Sequence, residues 1–263
     1  MHLMDRTQTR RPMSKRTAAI AFFGSTVSAA ALLACGGGDE SSADRGLPQG
    51  AEKAKLDPAD FTVNIDNPYL PMAPGDSWVY RETDTEGTNE KVVTTVTDKT
   101  KKLANGVTVR VVRDAVSEGG KPVEVEHDWF AQDTKGNVWY FGGDVRHYEN
   151  GKFAGRDGSF EAGVKGADAG VLMPADPEPG LRYRQEYLKG QAEDNAEIVT
   201  IGKERVDVPA GFFDNIVLTR DLVPTEPKVQ EMKFYARGVG PVLTLNTNDP
   251  GARVVLLKFT RRR

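Results

Sequence analysis

The side chains able to do chemistry are few, and their spacing excludes more than it supports. Beyond residue 35 the chain holds two histidines, His127 and His147. Glu124, Glu126, His127 and Asp128 are neighbours, as metal ligands often are. In an extended chain, however, successive side chains point to opposite faces. His127 then shares its face with Val123 and Val125, away from the acids, and reads as a surface or edge-strand histidine. No metal is expected. Asp133-Thr134-Lys135-Gly136-Asn137 lacks the acid ladder and distal Glu of a calcium loop and reads as a hairpin turn. The chain has no Gly-x-Ser-x-Gly elbow, phosphate loop or dinucleotide fingerprint, and Gly158-Ser159 has no flanking strand and helix. No cofactor is expected. A pair of acids for glycoside hydrolysis stays open, because its spacing is a three-dimensional matter. The balance leans away from an enzyme.

Cys35 is the one cysteine, so no intramolecular disulfide forms. A redox thiol sits beside cations. Cys35 sits instead between Leu32-Leu33-Ala34 and Gly36-Gly37-Gly38. An apolar run, Ala18 to Ala34, precedes it and follows Arg10, Arg11, Lys15 and Arg16. Charged start, short apolar middle and small residue before the cut make a secretory signal over residues 1–34. A transmembrane helix is the alternative. The run is at the lower limit of length, is interrupted by Ser25, Thr26 and Ser28, and leads into the polar Gly36–Ser42. A flexible tether is expected from Cys35 to about Asp60.

Leu32-Leu33-Ala34-Cys35 resembles the lipobox of bacterial lipoproteins. The resemblance implies cleavage before Cys35, a diacylglyceryl thioether on its sulfur and an acylated amino terminus, with palmitate-like chains. One acyl chain anchors only marginally; two or three hold a protein to a membrane without a spanning helix. Thr9–Lys15 faintly resembles a twin-arginine export signal. It reads more simply as an ordinary basic region, or as sequence ahead of a true start at Met13. The expected location is a bacterial membrane, facing the periplasm or the exterior.

Lys+Arg number 35 and Asp+Glu 38, a net charge of −3. The signal takes with it Arg6, Arg10, Arg11, Lys15 and Arg16 but only Asp5, so the exported part is more acidic still. Nucleic-acid binding needs basic patches that displace counterions, and none is expected. Arg261-Arg262-Arg263 reads as a solvated terminus. The roughly 200 residues after the tether suffice for a substantial core.

Those residues read as β throughout. Val92–Thr97, Val107–Val112 and Val254–Leu257 are β-branched runs of strand length. Asn105-Gly106, Glu118-Gly119-Gly120, Lys135-Gly136-Asn137 and Pro209-Ala210-Gly211 supply turns. The chain also aligns with itself. Pro74-Gly75 and Trp78 match Pro179-Gly180 and Tyr183. Arg113-Asp114 matches Arg220-Asp221, and Glu126 to Gln132 matches Glu231 to Arg237. The shift is nearly constant, which implies two copies of one meander, about 74–141 and 179–245, within a β domain over 61–263. The Gly/Pro-rich stretch 142–178 joins them, read either as a hairpin at Asn150-Gly151 with an ordered crossover or as a lid. Adjacent aromatics Trp129-Phe130 and Phe234-Tyr235 place one ring of each pair on each face.

Val206-Asp207-Val208-Pro209-Ala210-Gly211-Phe212-Phe213, followed by Phe234-Tyr235-Ala236-Arg237-Gly238-Val239-Gly240, looks like a pattern in poorly characterised bacterial envelope lipoproteins. Those proteins resemble the curled antiparallel sheets of lipoprotein carriers. The match covers about 40 residues and implies fold and compartment, with no catalytic motif.

The expected fold is therefore all-β, allowing one or two short helices: a curled antiparallel sheet or half-barrel built from two internal repeats. The expected role is a lipid-anchored module that binds or carries an apolar ligand, lined by Trp129, Phe130, Tyr140, Phe234 and Tyr235. The alternatives are a structural or protein-interaction lipoprotein with an envelope protein as partner, and a secreted hydrolase using paired carboxylates.

Overall fold

Alternation writes the strands. In Val92-Val93-Thr94-Thr95-Val96 the even residues are buried and the odd ones half-exposed, a period of two that only an extended chain satisfies. The computed structural model describes residues 46–225 and 230–262. The signal and Cys35 lie outside the described residues. Among the described residues one 3-10 turn, Pro58–Asp60, leads into β1 (Phe61–Thr62). There follow β2 (Ser77–Thr83), β3 (Asn89–Lys102), β4 (Thr108–Glu118), β5 (Lys121–Asp133), β6 (Val138–Glu149), β7 (Lys152–Gly155), β8 (Phe160–Glu161) and β9 (Asp168–Met173). The second half holds β10 (Arg182–Arg184), β11 (Glu186–Tyr187), β12 (Asn195–Ile201), β13 (Val206–Val208), β14 (Gly211–Phe213), β15 (Ile216–Leu222), β16 (Gln230–Ala236), β17 (Gly240–Asn246) and β18 (Arg253–Thr260).

All but β13 and β14 join one antiparallel sheet, ordered β10-β12-β15-β16-β17-β18-β2-β3-β4-β5-β6-β9-β11. Its two ends, β10 and β11, are consecutive pieces of one extended segment divided by Gln185. β10 pairs with β12, and β11 with β9. The sheet thus curls until it nearly closes into a barrel. Arg184 fixes the seam. Its guanidinium is almost wholly buried and bonds the Ala169 carbonyl at 2.8 Å, Asp168 at 3.3 Å and the Glu52 carbonyl at 2.6 Å.

Residues 47–54, expected as part of a tether reaching to about Asp60, are held against the barrel. Leu47 is buried, the Arg184 amide donates to the Pro48 carbonyl and the Ala54 amide to Asp168. The Gly50 and Glu52 carbonyls meet the buried Arg184 guanidinium and the Pro48 carbonyl meets its backbone amide, partners that a composition-based reading does not see. The stretch 142–178 also carries structure: the end of β6, then β7, β8 and β9. Tyr148 faces Phe153 around Asn150 and Gly151, both at positive φ, as a two-residue hairpin requires.

One end of the barrel is covered by residues 65–72. Asn67 donates to the carbonyls of Gly136 and Pro174, and the Gly238 amide donates to Pro68. Leu70 and Met72 are buried beneath. That cap therefore holds the β5–β6 turn and the β16–β17 turn at the same end. The β5–β6 turn is closed by Asp133, whose carboxylate accepts from Lys135 and Asn137 amides and from the Trp139 indole.

Candidate functional site

Strand alternation decides what lines the barrel. On β5, Glu124, Glu126, Asp128, Phe130 and Gln132 are buried on one face. Facing strands add Asp114 opposite Glu126, and Tyr140 opposite Phe130. On the far side, β16 turns Glu231, Lys233 and Tyr235 inward, opposite Asp221, Thr219 and Val217 of β15. Tyr80 of β2 and Tyr183 of β10 lie on the same inner face, both nearly free of solvent.

Three of the five expected lining aromatics, Phe130, Tyr140 and Tyr235, stand inside. Phe130 and Tyr140 rings pack at 5.3 Å, and Tyr140 meets Phe160 edge-on at 5.8 Å. Trp129 and Phe234 do not line the interior. The alternation that turns Phe130 and Tyr235 in turns these two out. Trp129 lies under the Lys101 ammonium, 3.3 Å from the ring centroid, and Phe234 sits between Leu218 and Leu243 on the outer face.

The interior is polar above its aromatic floor. The Tyr140 hydroxyl donates to Asp128 Oδ1 at 3.1 Å. Lys233 Nζ lies 2.9 Å from Asp221 Oδ2 and 3.3 Å from Glu231 Oε2. Gln185 and Thr219 donate to the two Asp221 oxygens at 3.1 and 2.7 Å. The His147 ring pairs with Glu124 at 2.9 Å through Nδ1, and its Nε2 lies 2.9 Å from the Asp157 carbonyl. The Glu124 bond holds the His147 pKa up. His127 lies on the other face, where burial lowers its pKa.

Burial dominates the interior carboxyls, and like charges add to it. Asp114 is pushed up to about 6, by burial first and then by the Glu124 charge, against the pull of the neighbouring Thr94 hydroxyl and the Arg113 charge. Burial and the charges of Asp128 and Glu124 drive Glu126 well above the carboxylate range. Burial and Asp114 do the same to Asp128, and burial and Asp194 to Glu186. Burial works against the Lys233 ammonium, but Asp221 and Glu231 overcome it and hold the proton on.

Composition hides the inward acids, because Glu and Asp are ordinarily exposed. A signal was present: Glu124, Glu126 and Asp128 fall in step with Phe130, so any face that buries the ring buries them too. Lys233 in step with Tyr235 carries the same message. Among the described residues no group of three or more His, Cys, Asp or Glu is arranged to hold a metal ion. No described helix is long and apolar enough to cross a membrane.

No family model matches the chain, and no curated protein matches it. Among solved structures it is similar to one named a "putative lipoprotein", from Parabacteroides distasonis. The two share 15% identity over 73% of this chain and 98% of the other, with a TM-score of 0.38. A likeness that slight carries no conclusion about this chain.

Proposed function

We propose that this protein is a lipid-anchored barrel of a bacterial envelope that binds an apolar ligand in its interior. The anchor rests on Leu32-Leu33-Ala34-Cys35 behind a basic and apolar leader. The ligand reading rests on one observation: Phe130, Tyr140 and Tyr235 all lie on the inner face of a nearly closed sheet. Closed antiparallel sheets of modest size include ones that hold one small apolar molecule inside. The two meanders support the repeat as well. β2-β3-β4-β5-β6 and β10-β12-β15-β16-β17 run in the same order, with Asp114 opposite Glu126 in one and Asp221 opposite Glu231 in the other.

Equilibrium dialysis of radiolabelled decanol against the purified full-length protein tests the ligand reading. Saturable binding that weakens about tenfold or more in Phe130→Ala is the expected result. Binding absent, or unchanged in that variant, overturns it.

A second reading keeps one observation of its own. Phe212 at 64% and Phe153 at 59% exposure project from the β13–β14 and β6–β7 hairpins. A ring left in solvent on a hairpin is open to a partner protein, and the two suit a lipoprotein that assembles with an envelope partner.

A further inference from the structure

We infer that the ligand inside the barrel carries a small organic cation, of the primary ammonium class, received by Asp114, Asp128 and Glu186. The inference rests on the reading that the interior takes an apolar ligand, and it names the polar end of that ligand.

The two halves of the barrel supply the comparison. On β15 and β16, Asp221 faces Glu231 and Lys233 stands two residues further along. Its ammonium bonds both carboxylates. On β4 and β5, Asp114 faces Glu126 in the same way, and the residue two further along is Asp128. Where one half holds its own ammonium, the other holds a third carboxyl. Among the described residues no lysine or arginine bonds Asp114, Glu126 or Asp128.

Three carboxyl oxygens there lack a hydrogen-bond partner, Asp114 Oδ1, Asp128 Oδ2 and, from β11, Glu186 Oε1, as does the Thr94 hydroxyl opposite Asp114. All three side chains are more than nine-tenths buried. Buried acceptors without donors cost free energy that a donor recovers. An ammonium offers three N–H donors and a positive charge, which matches both the vacant acceptors and the excess of acid. Burial raises all three carboxyls; the Glu124 charge adds to it at Asp114 against Arg113, Asp114 adds to it at Asp128, and Asp194 and Asp128 add to it at Glu186 against Lys233, so an arriving cation displaces protons and restores their charge. The Asp128 Oδ1 atom is held by the Tyr140 hydroxyl, whose ring packs on Phe130. The cation site and the apolar floor are therefore neighbours, as they must be for one amphiphile to fill both.

The test compares decylamine, decanol and decanoate, one tail with three heads, by calorimetry on the full-length protein below micelle-forming concentrations. Decylamine is expected to bind about tenfold or more tightly than decanol, and decanoate most weakly. In Asp128→Asn the amine preference should shrink to about threefold or less while decanol binding persists. A second measurement needs no variant: decylamine affinity should fall between pH 8 and pH 5, where protons compete, while decanol affinity stays level. Equal binding of amine and alcohol, or a preference for decanoate, overturns the cation and leaves the apolar reading standing. Binding of none of the three overturns both.

Discussion

Lys233 Nζ lies 2.9 Å from Asp221 Oδ2 inside the barrel, with both side chains at least nine-tenths out of solvent. The pair sits on neighbouring strands β16 and β15, and Glu231 completes it. A buried ion pair is weak evidence for net stability, but removing one partner strands the other charge. Lys233→Met should therefore cost about 3–5 kcal/mol, read as a lower urea midpoint with an unchanged slope. Adding Glu231→Gln should restore part of the loss.

Stability should rise as the pH falls from about 7 to about 5. Asp114 titrates near 6 when folded against an ordinary 3.8, so across that window the folded state binds more protons than the unfolded one. Its stabilising contribution is complete below the ordinary value and lost as the pH rises through 6. Glu124, Glu126 and Asp128 from β5, Thr94 from β3 and Tyr80 from β2 face it. The raised Glu126, Asp128, Glu186 and Glu231, and His147, act in the same direction. His127, with its pKa lowered, opposes them. Urea melts at pH 7 and pH 5 should differ by about 1 kcal/mol or more in favour of the lower pH. A bound cation should reduce that difference.

Arg184→Ala should open the seam. The guanidinium joins β10 to β9 and ties down residues 50–52. Its loss leaves Asp168 without its cation and removes a donor from the Gly50, Glu52 and Ala169 carbonyls, at about 3 kcal/mol or more. Hydrogen exchange should accelerate first at Ala169 and Glu186, where β9 meets β11, and later elsewhere.

Much of this fold is legible in the residues themselves. Val92–Val96, Val107–Val112 and Val254–Leu257 announce strands through side-chain branching and alternation, and Asn150-Gly151 announces its turn. The role of Gln185 is not legible, because a break in a strand that seals a barrel depends on partners more than ten residues away in sequence. Nor is the burial of Arg184, since isolated arginine reads as surface. The site was half-legible. Alternation alone separates Phe130 and Tyr235 from Trp129 and Phe234. Reading the acids as interior required trusting the same alternation against the ordinary exposure of Glu and Asp.

Cys35 lies outside the described residues, and its proposed lipidation is checked chemically. Cells expressing Cys35→Ser and fed a labelled fatty acid should yield an unlabelled, uncleaved precursor. Label retained in the variant removes the anchor from the account.

The most direct measurement is native mass spectrometry of the protein released gently from its own membrane. The expected spectrum holds the barrel with an added mass of a few hundred daltons. Collision should release that mass as an amine-bearing amphiphile, and Phe130→Ala should deplete it. A spectrum of the lipidated chain alone, or of a released species that is an acid with no amine, contradicts a cation-bearing ligand in the interior.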